Sequence, residues 1–311
     1  MTTLRVMTYN VRYFSHATRG VTSTAISLGR IARALARSNP PLDLVLLQEV
    51  ETSSLRGSLH RGGEGSTQLE RLLRALHDEL RALGRTDGYE GHYFAAHDYS
   101  LAAGVSLYTT GLAVLVRKPL RVVSHNAASP HDITHRTRQT LPDGRKPWLK
   151  QTRICAHLTL DLDGKSLDVF NTHMSLPSFM DPGFWRRAER MGHGPNQLIE
   201  VRTLIDCITS RRQSDRFIVG GDFNALPGSP VYEVLTGECG LHDPLAARLG
   251  DLATLKRFAT AGFMQLRMHL DHLLSGPGVR WVDTNGSFPF DQESPFRGLS
   301  DHTPLVGQFE I

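Results

Sequence analysis

Cysteine is scarce in this chain: Cys155, Cys207 and Cys239 are the only three among 311 residues. Their odd number and wide spacing speak against a disulfide framework or a thiolate zinc site, and they read as reduced, buried thiols. Long hydrophobic runs are missing too. Arg, Asp or His interrupts every apolar stretch before the roughly eighteen residues that a membrane span needs, so no membrane span is expected. The amino terminus, Met1-Thr2-Thr3-Leu4-Arg5-Val6, enters a strand-like pattern without an apolar signal region, which predicts a cytoplasmic protein. There is no internal repeat and no linker long enough to separate a pair of domains, so one domain over residues 1–311 is expected. Strong charge of either sign is also absent. The 35 Lys and Arg residues against 31 Asp and Glu leave a net charge of +4, which permits a polyanionic partner without requiring one. Nothing calls for an obligate protein partner.

What is present suits a large α/β fold. Hydrophobic residues make up 40% and charged residues 21%, enough apolar material for a sizeable core and far from the composition of disorder. Short β-rich runs alternate with helical patterns. Leu4 to Val11 and Leu42 to Leu47 read as strands, separated by a 3.6-residue pattern through Ile26, Ile31 and Leu35 that should stop near Ser38, before Asn39-Pro40-Pro41. A second helix is predicted from about Thr67 to Leu83, ending at Gly84, and a third from about Pro195 to Arg212. Further strands fit Tyr89 to Ala95, Gly111 to Arg117, Ile154 to Leu160, Ser166 to His173, Phe217 to Gly221, His269 to Leu274 and Leu305 to Ile311. Asp161-Leu162-Asp163-Gly164-Lys165 carries the Asp-Gly signal of a hairpin turn. Residues 52 to 66, rich in Gly and Ser, read as a flexible loop, and residues 121 to 153 as a basic polar excursion.

Polar residues stand where these strands end. Asn10 closes Met7-Thr8-Tyr9-Asn10, and Glu49 follows the apolar run Leu44-Val45-Leu46-Leu47, where an unpartnered carboxylate would be costly. A hard cation with oxygen ligands would compensate it. His173 ends Val169-Phe170-Asn171-Thr172-His173. Asp222 and Asn224 follow a strand within Gly220-Gly221-Asp222-Phe223-Asn224, where the glycines allow close backbone approach, and Ser229-Pro230 reads as the cap and first residue of a helix. Near the carboxyl terminus, Asp271 and the pair Asp301-His302 supply the components for an Asp that orients an imidazole for acid, base or transition-state work.

In this order, Thr8-Tyr9-Asn10-Val11-Arg12, Leu47-Gln48-Glu49-Val50, Asn171-Thr172-His173, Gly221-Asp222-Phe223-Asn224, Leu270-Asp271-His272 and Ser300-Asp301-His302 resemble the endonuclease/exonuclease/phosphatase superfamily, in particular exonuclease III and deoxyribonuclease I-like enzymes. Any one tetrapeptide is weak evidence, whereas six in order from Thr8 to Leu305 form a strong signal. The resemblance implies a four-layered α/β/β/α sandwich with two packed mixed β-sheets and a site at one edge. It implies Glu49 as the principal metal carboxylate, with Asn10 and Asp301 nearby, and Mg2+ as the metal, with Mn2+ as a substitute. Asp222 would activate or position the attacking water, Asn224 would contact the phosphate, His173 would reach the scissile phosphate, and His302, oriented by Asp271, would act as base or stabilise the transition state. The activity implied is a metal-dependent phosphodiesterase acting on nucleic acid, DNA ahead of RNA. The alternative is a lipid or small-molecule phosphoesterase of the sphingomyelinase or inositol-phosphatase kind. The sequence departs from the nucleases at Tyr108, displaced by about a residue from the Tyr they often carry before the strand from Gly111.

Several readings stay open. Asp271 could instead pair with Arg267, and His272 reads as structural. The basic residues of 121 to 153 could track a nucleic-acid backbone or form an ordinary solvated loop. Trp185 and Arg186, in the segment 176 to 196, could stack on bases and hold phosphates, or belong to a short capping helix.

Overall fold

The computed structural model describes residues 1–14, 20–54, 67–102, 105–135, 152–177 and 190–311. Among these residues the strands are β1 (Thr3–Asn10), β2 (Leu44–Ser54), β3 (Tyr89–Ala102), β4 (Val105–Arg117), β5 (Arg121–His125), β6 (His131–Asp132), β7 (Ile154–Leu162), β8 (Lys165–His173), β9 (Phe217–Asp222), β10 (Ala261–Phe263), β11 (Leu266–Met268), β12 (Asp271–Ser275), β13 (Arg280–Asp283) and β14 (Leu305–Glu310). The longer helices are α1 (Gly20–Ala36), α2 (Gln68–Ala82) and α3 (Pro195–Arg211).

Alternation along the strands builds the layers. Leu4 and Val6 of β1 face one way, joining Leu44, Leu46, Val114, Leu158, Val169 and Ile218 in a core between two sheets. Met7 and Tyr9 face the other way and pack with Ile31 and Leu35 of α1 and Leu72 and Leu76 of α2. On the far sheet, Cys155, Phe170 and Val219 pack on Val201, Leu204 and Ile208 of α3. The result is helix, sheet, sheet, helix. The first sheet has the order β13-β14-β1-β2-β4-β3, and the second β12-β9-β8-β7-β5 with β6 also paired to β7. Both are mixed: β1 runs parallel to β2 and β8 parallel to β9, while the other pairs are antiparallel. Among the described residues no helix is long and apolar enough to cross a membrane.

Local chemistry explains the ends of these elements. Thr67 and Glu70 form a reciprocal capping box at the start of α2, satisfying backbone donors that the first turn leaves unpaired. Ser229 accepts from the Tyr232 amide, with Pro230 opening the helix behind it. Asp163 and Gly164 take positive φ values of 53° and 84° between Leu162 and Lys165, the backbone a two-residue hairpin favours.

Other expectations need correction. The strand predicted to stop before Glu49 continues to Ser54. The polar excursion begins with two strands, because Val122 and its neighbours pair with β7, and only residues 136–151 of it lie outside the described residues. Of the predicted loop at 52 to 66, residues 52 to 54 belong to β2 and 55–66 lie outside the described residues. Cys239 is exposed rather than buried, because it closes a short helical turn on the surface. Neither β13 nor the β10–β11 hairpin was anticipated, since three- and four-residue strands are too short to show a period.

Candidate active site

Strand register assembles the site. On the second sheet His173, Asp222 and Asp271 are lateral neighbours: His173 pairs with Asp222 across β8 and β9, and Asp271 with Asp222 across β12 and β9. This register requires Gly221, whose φ is +156° and where a Cβ would lie 2.1 Å from the Thr172 carbonyl oxygen. On the first sheet Asn10 stands beside Gln48. Between Leu47 and Val50 the pairing of β2 with β4 slips by one residue, a β-bulge, and Glu49 takes a positive φ of 57°. A bulge re-aims a side chain, and this one directs Glu49 towards the row on the facing sheet.

The two sheets are tied together directly beneath the site. Gln48 Nε2 donates to Thr8 Oγ1 (3.1 Å) and Asn171 Oδ1 (2.8 Å), and Asn171 Nδ2 donates across the seam to the carbonyls of Leu47 (3.0 Å) and Ala113 (3.1 Å). These buried amides hold the two halves at one separation. Ser300 Oγ, donating to the Asn10 carbonyl at 2.8 Å, ties the loop carrying Asp301 and His302 to the end of β1.

Above this seam, Asn10 Nδ2 lies 3.2 Å from Glu49 Oε1 and 3.0 Å from Asp222 Oδ2, donating between the two carboxylates. His173 Nε2 is 3.5 Å from Asp222 Oδ2 and 4.0 Å from Glu49 Oε1. His302 joins Asp271 Oδ2 through Nδ1 at 2.8 Å and turns Nε2 to Asp222 Oδ2 at 3.8 Å. Asp301 is engaged by the Arg12 guanidinium. Asn224, with φ 49°, gives its backbone N–H to Asp222 Oδ1 (3.0 Å) and its side-chain amide to the Met174 carbonyl (2.9 Å). Left-handed backbone at non-glycine residues costs about 1–2 kcal/mol each, so Glu49 and Asn224 are held by the surrounding structure in positions that local preference opposes.

Burial sets the protonation states. It raises the Asp222 carboxyl first, Asp271 adds to it, and despite opposition from His302 and the donors of Asn10 and Asn224 the group reaches about 7. Glu49 is raised by burial, against the Asn10 hydrogen bond and His302. Burial works against a charged His302, but Asp271 and Asp222 outweigh it and lift the imidazole to about 10. Burial, helped by Arg153 and His302, pushes His173 well below its usual range and keeps it neutral.

The eight central residues predicted for the site (Asn10, Glu49, His173, Asp222, Asn224, Asp271, Asp301 and His302) therefore stand at one end of the seam. The Tyr108 side chain, Trp185 and Arg186 lie outside the described residues. Arg267 bonds Asp291 (2.7 Å), and Asp271 is engaged by His302 instead. His272 is buried and bonds the Ala225 carbonyl, a structural position. Two cationic residues were not singled out for the site: Arg12, and Arg153, which lines a narrow cleft with Glu49, His173 and Thr110. Arg153 Nε is buried without a hydrogen-bond partner. The signal for both was a basic residue within two positions of a strand end.

The donor set fits a divalent cation. Glu49, Asp222, Asp271 and Asp301 bring four carboxylates together against three cations, protonated His302, Arg12 and Arg153. With all four ionised the carboxylates are in excess, in a place where uncompensated charge is expensive. Glu49, with 20% of its side chain exposed against 3% for Asp222, is where an ion from solvent has access. Asp222, Asp271 and His302 also lie within 4.8 Å of one another, a second group whose atoms could hold an ion, although His302 Nδ1 is already bonded to Asp271.

A sequence model described as the Endonuclease/Exonuclease/phosphatase family matches residues 7–302. No curated protein matches the chain. Among solved structures, an endonuclease/exonuclease/phosphatase from Beutenbergia cavernae is 19% identical, with 99% of this chain and 72% of that one covered and a TM-score of 0.62. One from Bacteroides vulgatus is 18% identical, with both chains fully covered and a TM-score of 0.62. The human Nocturnin catalytic domain is 17% identical, with 99% and 93% covered and a TM-score of 0.59. These likenesses extend over the whole chain and show the same two-sheet fold.

The Asp222 shift yields a stability prediction. A carboxyl raised above its ordinary value of about 3.9 is stabilising to the fold below that value, and the contribution is lost as pH rises through about 7. In chelator at pH 8, Asp222→Asn should therefore melt roughly 2–6 °C above the parent, with the gap closing near pH 4. Thermal melts at the two pH values check this, and an equal or lower midpoint at pH 8 would contradict it.

Proposed function

The chain belongs to the endonuclease/exonuclease/phosphatase family, a family of phosphoester hydrolases, and we propose that it is a divalent-metal-dependent phosphodiesterase that cleaves nucleic acid, DNA ahead of RNA. The observation that carries this reading is the Asp271–His302–Asp222 array standing beside Glu49 at the sheet seam.

Asp222 is suited to orient a water and take its proton, since a base poised near neutral pH combines the correct protonation state with useful driving force. The Asn10 amide and the Asn224 N–H fix its two oxygens, so the lone pair available to water has a set direction. His302 remains protonated to about 10, which makes it a cation for charge developing on the phosphate rather than the base. Asp271 maintains that charge and the ring's orientation. Neutral His173, and the N–H of the Asn224 side-chain amide that the Met174 carbonyl leaves over, would donate to phosphate oxygens; preorganised donors of this kind are worth several kcal/mol each in the transition state. Glu49, with Asn10 and Asp301 beside it, would hold Mg2+ or Mn2+, which would neutralise phosphate oxygens and stabilise the leaving oxygen. Arg153, in the cleft beside Glu49 and His173, would take a neighbouring phosphate. That position favours a diester within a polyanion over an isolated monoester.

Incubation of plasmid DNA, single-stranded DNA, RNA, sphingomyelin and inositol phosphates with Mg2+ or with chelator tests the assignment. Metal-dependent scission of nucleic acid, at least a thousandfold slower in Asp222→Asn, is expected; turnover confined to the lipid or inositol phosphate would replace it with the alternative activity.

The charge states also set the pH profile. Rate should fall below about 7 or lower, as Asp222 takes up a proton that a bound cation makes it hold less tightly, and fall again near 10 as His302 loses its own. Asp271→Asn removes the carboxylate that raises His302, so its alkaline limb should move down by at least one unit. An unmoved limb in kcat/KM would mean that His302 is not the group titrating there.

A further inference from the structure

The loop that carries Asp222 and Asn224 is laced to the chain that leaves β8 after His173. Met174 N donates to the Asp222 carbonyl at 2.9 Å, and Asn224 Nδ2 donates to the Met174 carbonyl at 2.9 Å. Gln197, in the first turn of α3, joins the same two segments from behind. Its Nε2 donates to the Ser175 carbonyl and to the Asn224 carbonyl, each at 2.8 Å, and its Oε1 accepts from Gly192 N at 3.0 Å and Gly194 N at 3.2 Å.

Gln197 has no exposed surface, and a side-chain amide offers two N–H donors and two acceptor lone pairs. All four are used. The oxygen end serves the helix, taking N–H groups of the turn into α3 that no intrahelical carbonyl can reach. The nitrogen end does nothing for the helix. Both of its protons go to carbonyls on the segments that carry His173 and Asn224, so capping accounts for half of the side chain's bonds and the site for the other half.

The two carbonyls belong to residues whose remaining polar groups are also held. Glu200, one turn along α3, accepts from Ser175 N at 2.9 Å and from Ser175 Oγ at 2.7 Å. Asn224 has a φ of 49° and gives its N–H to Asp222 Oδ1. With Gln197 on its carbonyl, both ends of Asn224 are fixed, and a left-handed backbone that its own preference opposes is retained. The next carbonyl, of Ala225, is taken by His272 Nε2 at 2.8 Å.

We infer that Gln197 is a positioning residue for the phosphate donors: through the Ser175 and Asn224 carbonyls it holds His173 and Asn224 at the separation at which both meet the oxygens of one phosphate. The inference rests on the phosphodiesterase reading. Fully buried, Gln197 acts through these residues rather than on substrate. The role needs a neutral double donor. A carboxylate at this position would face two carbonyl oxygens without a proton for either, and a side chain without polar atoms would leave both carbonyls buried and unpaired. Small misplacements of donors near a reacting centre have large effects on rate.

Rates with stereopure phosphorothioate versions of a DNA oligonucleotide that the parent cuts in Mg2+ test the role. Sulfur in place of a non-bridging oxygen weakens the hydrogen bond that a well-placed donor makes there, and the ratio of oxygen to sulfur rates does not depend on how much of a preparation is folded. Gln197→Met, close in volume, removes all four bonds; Gln197→Glu keeps the acceptor end and loses the donors. Both should lower kcat at least tenfold and reduce the oxygen-to-sulfur ratio of at least one diastereomer threefold or more. Asn196→Ala, which removes a bond from the same helix end to the Leu176 carbonyl, should change either quantity less than twofold. A ratio unmoved in the Gln197 variants, or moved as much in Asn196→Ala, would overturn the role whatever happens to kcat. Hydrogen exchange in the parent gives a check that needs no variant to fold: both Gln197 Nε2 protons should be protected like the backbone amides of β8 and β9, and exchange at the rate of an exposed amide would equally overturn the role. A parent that cuts no diester in Mg2+ removes the phosphodiesterase reading and this role with it, whereas a parent that cuts with a ratio indifferent to residue 197 removes the role alone.

Discussion

Negative charge held at the seam of two sheets is the constraint on which the rest of this molecule depends. Glu49 comes from the first sheet, Asp222 and Asp271 from the second, and Asp301 from the loop before the last strand. Each would repel the others and resist burial. The fold accepts them because neutral and cationic donors are interleaved: the Asn10 amide between Glu49 and Asp222, His302 between Asp271 and Asp222, and Arg12 on Asp301. With every carboxylate ionised, negative charge stays in excess, and a bound cation would reduce it. The same crowding raises Asp222 towards neutrality and His302 far above it, so the electrostatic cost of assembling the site also sets the protonation of these two groups.

Geometry enters through the amides beneath. Gln48 and Asn171 are fully buried, and they bond across the seam and fix the spacing at which residues of opposite sheets meet. A carboxylate displaced by even an ångström would lose its donors, which is why the polar bonds are concentrated at this end of an otherwise apolar interface.

Much of this was legible in the sequence because strand ends are marked by local chemistry. Asn10, His173 and Asp222 follow apolar runs, the Asp163-Gly164 turn carries its own signal, and Gly220-Gly221 announces a close approach that a Cβ would forbid. The family resemblance added the roles and the four layers. Illegible were features that depend on pairing across the chain. The bulge at Glu49 exists only because β2 slips against β4, so the run looked as though it ended there. Arg12 and Arg153 are ordinary basic residues until distant segments place them beside Asp301 and His173. The β10–β11 hairpin is too short for periodicity and takes its position from backbone bonds to Asp301 and His302. Cys239, flanked by Glu238 and Gly240, lies at a surface turn that composition alone did not distinguish from core.

Calorimetric titration of Mn2+ into the parent protein and Glu49→Gln, each first stripped with chelator and checked for folding, tests the central claim most directly. If excess charge at the seam is what a cation satisfies, the parent should bind the ion with a thermal midpoint that rises on loading, and Glu49→Gln should bind at least tenfold more weakly while remaining folded. Equal affinity and an equal rise in midpoint in the two proteins would contradict the account.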